Sequence, residues 1–266
     1  MTAPSVPAPD LATRRAPGLG GMNVTVLGIE IRRLMRNRRT VIISTVFPVV
    51  FFLIFGLNKS YALLRDGRGN VAAFVMISMA LYGGVLATTY AGAMVSIERA
   101  AGWSRQLRLT PFSSVAYITV KMLTALVLGL CSVVAVFAAG LITHKASMPG
   151  YLWIVSGLSV WIGSLVFAAF GLFMGYLLPT ENVMQILGLG LAALSFLGGL
   201  FTPLNQLPHV VQTIAEFTPL YGLNQLVHAP VLGGSIHLAW VANAVIWLAI
   251  FAGGAAWRMR RDTGRV

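Results

Sequence analysis

Residues 97–121, IERAAGWSRQLRLTPFSSVAYITVK, place charged and aromatic side chains between two long apolar stretches. Trp103 and Leu107 are spaced i, i+4 and therefore share one face of a short helix. Pro111 would end that helix, because proline lacks the backbone N–H that continues it. An aromatic anchor beside arginines is typical of protein–protein interfaces. The segment therefore predicts a docking site for a partner protein, with charge-assisted contacts from Arg99, Arg105 and Arg108.

The sequence lacks the residue patterns of common catalytic and cofactor sites. Its four histidines form no HExxH motif, and Cys131 is its only cysteine, so no metal site is indicated. A nucleotide-binding P-loop needs glycine immediately before lysine, whereas the residues before the three lysines are Asn58, Val120 and His144. The GxSG motif of rhomboid-type membrane proteases is missing too. We therefore expect no enzyme activity, and no cofactor, metal or ATP bound by this chain.

The composition indicates a protein that lies in lipid. Of the 266 residues, 57% are hydrophobic and only 10% are charged, whereas soluble domains carry about 25% charged residues. The net charge of +12 does not indicate nucleic acid, because the cations cluster at the edges of apolar blocks. Lys145 is the only cation between residues 122 and 257. This placement is typical of membrane headgroups and topology.

Six segments are long and apolar enough to cross the ~30 Å hydrocarbon core, which needs about 20 residues. They are residues 40–57, 71–96, 112–143, 152–178, 183–202 and 237–257. Between the last two, four prolines interrupt an apolar stretch without Lys or Arg, which predicts short re-entrant helices on the outer side. The sequence thus predicts an all-α polytopic membrane domain over 40–258, with a disordered tail at 1–21 and a basic cytoplasmic tail at 259–266.

The cations predict the orientation of these spans. Six spans place both termini on one side, and with that side in the cytoplasm it holds 15 of the 19 Lys and Arg residues. The other side keeps four, which are Lys59, Arg65, Arg68 and Lys145. Such a bias follows the positive-inside rule. We therefore expect an integral plasma-membrane protein with cytoplasmic termini and a cytoplasmic segment 97–121.

Residues 22–39 predict an amphipathic helix on the inner membrane surface. Its apolar residues recur at helical spacing and are Val24, Leu27, Ile31 and Leu34. A second face carries Arg32, Arg36 and Arg39. The alternative is a basic flank that only sets the topology.

The third span is longer than the membrane is thick. Residues 112–143 make a helix of about 48 Å at 1.5 Å per residue. We therefore expect its first turns to stand among the headgroups, where Lys121 can extend its ammonium group to water.

Three groups of residues resemble those of type-2 ATP-binding-cassette (ABC) exporter permeases. The segment that looks like the family's first cytoplasmic loop, with its coupling helix, comprises Glu98, Arg99, Gly102, Trp103, Arg105, Leu107, Leu109, Thr110, Pro111, Tyr117 and Lys121. The residues similar to its connecting helix and first span are Arg38, Arg39 and Pro48. The outer fifth-span region is matched by LGGLFTP at 197–203 and TPLY at 218–221. The resemblance covers residues 22–258, although many members carry acids and a threonine where this chain has Ala100, Ala101 and Trp103.

The resemblance implies a homodimer or heterodimer of permeases with two separate P-loop ATPase subunits, which hold the ATP and Mg. The residues it assigns to ATPase coupling are Glu98, Arg99, Gly102, Trp103, Arg105, Leu107 and Pro111. Glu98 could pair with Arg99, Arg105 or Lys121. Because the family exports drugs, antibiotics and lipids and the outer loops here are short, we expect a hydrophobic or amphipathic substrate leaving the cytoplasm or inner leaflet.

Residues on the first, second and fifth spans are candidates for the substrate path or a dimer interface, with lipid contact or ordinary packing as the alternative. They are Phe47, Phe51, Phe55, Gly83, Gly84, Phe196 and Phe201. An ATP-independent secondary carrier or a membrane scaffold is the alternative function. Ion-coupled carriers place acids inside their spans, whereas Glu98, Glu181 and Glu216 fall in loops or at span ends.

Overall fold

The computed structural model describes residues 21–58, 62–102, 113–178 and 182–263. In these ranges the chain is almost wholly helical. The α-helices are α1 Val24–Arg36, α2 Arg38–Phe51, α3 Val71–Ala93, α4 Val95–Ala100, α5 Ser114–Thr143, α6 Gly150–Gly163, α7 Leu165–Leu177, α8 Val183–Leu197, α9 His209–Glu216, α10 Pro219–Leu232 and α11 Leu238–Thr263. The remaining elements are a π-helix at Phe52–Gly56, a 3₁₀ turn at Leu204–Gln206 and the strands β1 Arg65–Asp66 and β2 Gly69–Asn70.

Among the described residues, five stretches of helix are long and apolar enough to cross a membrane, which confirms the predicted all-α polytopic fold. They are Arg38–Gly56, Val71–Ala100, Val115–Thr143, Gly150–Leu177 and Leu238–Arg261. A sixth apolar helix, α8, has 15 residues and is about 22 Å long. The short helices α9 and α10 lie between it and the last span, as the sequence predicts.

The fifth apolar segment is shorter than the predicted 183–202 because two glycines end its helix. Gly199 has a φ of +78°, a left-handed conformation that glycine adopts without a steric penalty. The N–H of Gly199 donates to Phe196 O and that of Leu200 to Ser195 O. These bonds close the last turn, so the helix ends at Leu197 rather than at the predicted residue 202.

The second span, built from α3 and α4, is the centre of the bundle. In an apolar stretch of 18 residues within this span, 83% of the residues are buried inside the bundle. Its backbone lies against α7 because glycines remove the side chains between them. A Cβ at Gly92 would lie 2.6 Å from Ala168 O, and one at Gly171 would collide with Thr89 O. The hydroxyl of Thr89 also donates to Phe167 O at 3.3 Å, so these two spans are joined by backbone contact.

The fourth span is divided at Ser164, between α6 and α7. The Ser164 hydroxyl donates to Trp161 O at 2.6 Å. Its carbonyl accepts from the hydroxyl of Thr88 at 3.1 Å. A serine that bonds back to its own helix competes with the helical ladder and bends it, which explains a break without proline.

The first span contains a proline whose missing hydrogen bond is replaced by another span. Pro48 has no N–H and leaves the carbonyl of Ser44, four residues earlier, without its helical donor. The Ser132 hydroxyl of α5 donates to that carbonyl at 2.7 Å. Gly83 of α3 allows the first span to pack closely against α3 at Pro48, since a Cβ at Gly83 would lie 2.8 Å from Pro48 Cγ. Beyond Pro48 the helix widens into the π-helical turn.

At the N-terminal end of α3, Asn70 joins three segments. Its Oδ1 caps α3 by accepting from Ala73 N at 3.0 Å and also accepts from Ser147 N at 2.9 Å. Its Nδ2 donates to Lys145 O at 2.7 Å. The adjoining two-residue turn requires Gly67, whose φ is +59°. Asn70 therefore fixes this end of the bundle, opposite the end that carries Glu98.

His228 of α10 is buried in the same half of the bundle. Its Nδ1 lies 2.9 Å from Asn224 O, and its Nε2 lies 3.1 Å from Ser78 Oγ on α3. Burial lowers the pKa of His228, because the charged ring would lose its hydration. The ring also lies 3.3 Å from Phe74 O through Nε2, so His228 ties α10 to α3 through both Ser78 and the Phe74 backbone.

Candidate functional site

Of the predicted docking segment 97–121, the structure describes residues 97–102 and 113–121. The segment begins on α4, which continues the second span. The hydrogen-bond ladder changes at Met94, and α4 then carries Glu98 and Arg99 to its end at Ala100. Gly102 follows with a φ of +75°, so the chain turns away from the helix axis there. Glu98 is only 4% exposed, which is unusual for a carboxylate and requires partners.

Those partners come from two other helices. Lys121 Nζ of α5 lies 2.6 Å from Glu98 Oε1 and 2.5 Å from Glu30 Oε2 of α1. Arg33 Nη2 of α1 lies 2.9 Å from Glu98 Oε1. The Tyr117 hydroxyl, one turn before Lys121, donates to Glu98 Oε2 at 2.5 Å. We call these five residues the charge cluster.

The charge cluster is electrically balanced and largely buried. It holds two carboxylates, one ammonium and one guanidinium, and Lys121 is 6% exposed. Burying an isolated charge is costly, whereas opposed charges with complete hydrogen bonds offset that cost. The bonds here are short and charge-assisted, which makes them the strong kind. The cluster therefore fixes α1, α4 and α5 against each other as long as every member is present.

Arg99 forms a second junction, on the other side of α4. Its Nη1 donates to Tyr176 O at 2.9 Å and Gly175 O at 3.2 Å. Its guanidinium lies 5.3 Å from the centre of the Tyr176 ring, within the range of a cation–π contact. Gly175 and Tyr176 are in the last turn of α7, where backbone carbonyls lack helical donors. Arg99 thus ties α4 to the fourth span.

The two ends of the predicted docking segment are attached to this site. The other members of the predicted coupling set, Trp103, Arg105, Leu107 and Pro111, lie outside the described residues. The chain resumes at Ser113, whose hydroxyl caps α5 by accepting from Ala116 N at 3.1 Å. Segment 103–112 is therefore preceded by Glu98 and Arg99 and followed, within about two turns of α5, by Tyr117 and Lys121.

The structure shows one of the predicted partners of Glu98 and adds two residues. Lys121 pairs with Glu98, Arg99 bonds to α7, and Arg105 lies outside the described residues. Lys121 does not extend to the headgroup region as expected, because two carboxylates hold it inside the bundle. The sequence did not lead us to predict Glu30 and Arg33 as members of the charge cluster. The available signal was Glu30 itself, an acid on the Leu27–Leu34 face of an otherwise basic helix.

The predicted connecting-helix arginines lie on two elements. The helix of the 22–39 segment, α1, carries Arg32 and Arg36 and ends there, and Asn37 separates it from α2, whose first turn carries Arg39. The side chain of Asn37 accepts from Thr40 N at 3.3 Å. Arg32, Arg36 and Arg39 are all exposed, and so is Arg33, which nevertheless pairs with Glu30 and Glu98.

The candidates for a substrate path or dimer interface fall into exposed and internal sets. Phe47, Phe51 and Phe55 form a stripe along the first span, with ring centroids 4.2 and 5.6 Å apart. Phe47 and Phe55 are exposed to the surroundings of the bundle. On the fifth span, Phe196 is exposed and its ring centroid lies 4.9 Å from that of Phe201. Phe47, Phe55 and Phe196 therefore lie at the surface of the bundle, whereas Phe51 and Phe201 are partly buried against its core.

The two glycines of this set lie inside the bundle. Gly83 packs against Pro48 and Ser132, and a Cβ at Gly84 would lie 3.4 Å from Ser164 Cβ. Packing within the chain therefore accounts for both glycines, as the alternative interpretation of the sequence has it.

Comparison with known proteins adds two findings. The profile of the ABC-2 type transporter family matches residues 23–229, which include the whole charge cluster. The Bacillus subtilis (strain 168) protein named "Putative transport permease YvfS" is 29% identical over 208 residues, which is 77% of this chain and 84% of that protein.

Proposed function

This chain belongs to the ABC-2 type transporter family and is a transport permease of an ABC transporter, and we propose that it is the six-span permease of an exporter driven by a separate ATPase. Two P-loop ATPase subunits with ATP and Mg, together with a second permease copy, complete the transporter. Both termini and segment 103–111 face the cytoplasm. The observation that carries the proposal is the charge cluster at the base of that segment.

In this proposal the ATPase docks on segment 103–111, and the residues around it carry its motion into the membrane. Trp103 and Leu107 provide the apolar contact, and Arg105 provides a charge-assisted one. A displacement of α4 acts on α1 and α5 through the charge cluster, and on α7 through Arg99. It acts on α3 directly, because α4 continues that span. One docking segment thereby moves the second, third and fourth spans together.

The substrate we propose is a hydrophobic or amphipathic molecule such as a drug, antibiotic or lipid. The spans offer few polar groups to a hydrophilic solute. Phe47 and Phe55 are exposed on the first span, with Phe51 partly buried between them, and Phe196 is exposed on the fifth. A second copy apposed at these spans would enclose a path lined by aromatic rings. The direction is outward, from the cytoplasm or the inner leaflet.

Co-expression with the P-loop ATPase that we expect the neighbouring reading frame to encode tests the proposal. We expect the two proteins to copurify, and ATP hydrolysis in nanodiscs to depend on the permease. Arg105→Glu should weaken that dependence at least tenfold, because charge repulsion replaces a charge-assisted contact at the interface with the ATPase. Arg65→Glu, an equal charge change at the other end of the bundle, should leave it unchanged. Absence of any copurifying ATPase, with transport that proceeds without ATP, would indicate a secondary carrier; absence of both would indicate a scaffold.

A further inference from the structure

The junction of α1 and α2 exposes four arginines that the charge cluster does not use. They are Arg32, Arg36, Arg38 and Arg39, which we call the elbow patch. Asn37 bends the chain between the two helices, since its backbone is non-helical and its N–H donates to Leu34 O. The patch therefore gathers four positive charges within eight residues around one bend.

Among the residues that the structure describes, these charges have no compensating carboxylate. The only acid between residues 22 and 58 is Glu30, and its carboxylate bonds to Lys121 and Arg33 in the charge cluster. Over the part of the chain that the structure describes, no carboxylate forms an ion pair with any of the four elbow arginines. The elbow patch thus presents a concentrated positive field that fits an anionic partner.

The surroundings of the elbow patch favour a membrane over a protein or a soluble anion. Ile29 is 61% exposed and lies one turn before Arg32 and two turns before Arg36, on the same face of α1. Val24, in the first turn of this helix, is 83% exposed. On α2 the first span begins at Arg38, and Ile42 and Ile43 are exposed one turn further on. Apolar side chains interspersed with arginine at the start of a span are typical of the headgroup–acyl boundary. A face turned only to water would leave this apolar surface unburied.

We infer that the elbow patch binds the headgroups of anionic phospholipids. The guanidinium groups take the phosphates in bidentate contacts, while Ile29, Val24 and the start of α2 insert among the acyl chains. Because α1 also carries Glu30 and Arg33, lipid bound at the elbow patch holds α1 against α5 and supports the charge cluster. This second step rests on the proposed coupling function, whereas the binding itself does not.

Native mass spectrometry of the purified chain, titrated with phosphatidylglycerol or phosphatidylcholine, tests the binding. Each cation near an anionic surface contributes about fivefold in affinity, so Arg36→Gln with Arg39→Gln should lower phosphatidylglycerol affinity about 30-fold. Phosphatidylcholine binding should not change. Arg36→Lys with Arg39→Lys should retain most of the preference, and Arg65→Gln with Lys145→Gln, the matched pair at the other end, should retain all of it.

Equal affinity of the unmodified chain for the two lipids would overturn the inference, as would an equal loss in the matched pair. So would unchanged phosphatidylglycerol binding in the Gln pair accompanied by loss of the copurifying ATPase, which would make the elbow patch a protein contact. For the link to coupling, permease-dependent ATP hydrolysis should be higher in nanodiscs containing phosphatidylglycerol, and the Gln pair should lose this difference. Binding without any such difference would overturn the link alone and leave the proposed function standing.

Discussion

At the scale of single residues, the buried charged side chains of the described residues, Glu98 and Lys121, both lie in the charge cluster. Glu98 and Lys121 are separated by 23 positions, and Lys121 and Glu30 by 91, so only the first pairing was within reach of sequence reasoning. The i, i+4 spacing of Tyr117 and Lys121 indicated a shared face. The contribution of α1 depends on how that helix packs against α5, which no local pattern encodes.

Replacing Lys121 should expose the dependence of the charge cluster on every member. Lys121→Met removes the ammonium between two carboxylates and leaves Arg33 as their only described cation. Breaking a buried ion pair in this way costs about 3–5 kcal/mol. We expect a lower unfolding midpoint in detergent and weaker permease-dependent ATP hydrolysis.

Two further variants give this experiment its controls. Lys145→Met changes an exposed lysine and should leave the midpoint unaltered. Lys121→Met combined with Glu98→Gln removes one charge of each sign and should recover part of the loss, since fewer buried charges lack a partner. Equal midpoints for Lys121→Met and Lys145→Met would contradict the assignment of the cluster as a stabilising contact.

At the scale of elements, the spans were predictable and their irregularities were not. Long apolar runs identify membrane helices because lipid offers no partner for the backbone. Pro48 indicates that the first span lacks one helical hydrogen bond, to Ser44 O. The donor that replaces it, the Ser132 hydroxyl, lies 88 positions from Ser44 in the sequence. The break at Ser164 had no signal of comparable strength, because serine is common in helices and bends them only where it bonds back.

The contact between Pro48 and Ser132 can be tested with a double-mutant cycle. Ser132→Ala leaves the buried Ser44 carbonyl without a donor, at a cost of about 1–3 kcal/mol. In a Pro48→Ala background the restored N–H can bond to Ser44 O, so the same Ser132→Ala change should cost little. Unfolding midpoints of the four proteins measure the coupling. Equal costs of Ser132→Ala in both backgrounds would show that the hydroxyl does not replace the missing helical bond.

At the scale of the whole molecule, the bundle is built unevenly around its second span. In the apolar 18-residue stretch of that span, 83% of the residues are buried. In the corresponding stretches of the first and last spans, 22% and 11% of the residues are buried. The charge cluster, Arg99 and the glycine contacts hold the second, third and fourth spans together. We therefore expect these three spans to move as one body in transport, while a second copy meets the exposed rings of Phe47 on the first span and Phe196 on the fifth.

The central claim is that a separate ATPase docks on the segment between α4 and α5. A photoreactive phenylalanine analogue in place of Trp103, in the purified complex, tests this contact most directly. The account predicts a covalent product with the ATPase subunit, and none when the analogue replaces Lys145 at the other end of the bundle. A product confined to lipid, or equal products from both positions, would contradict it.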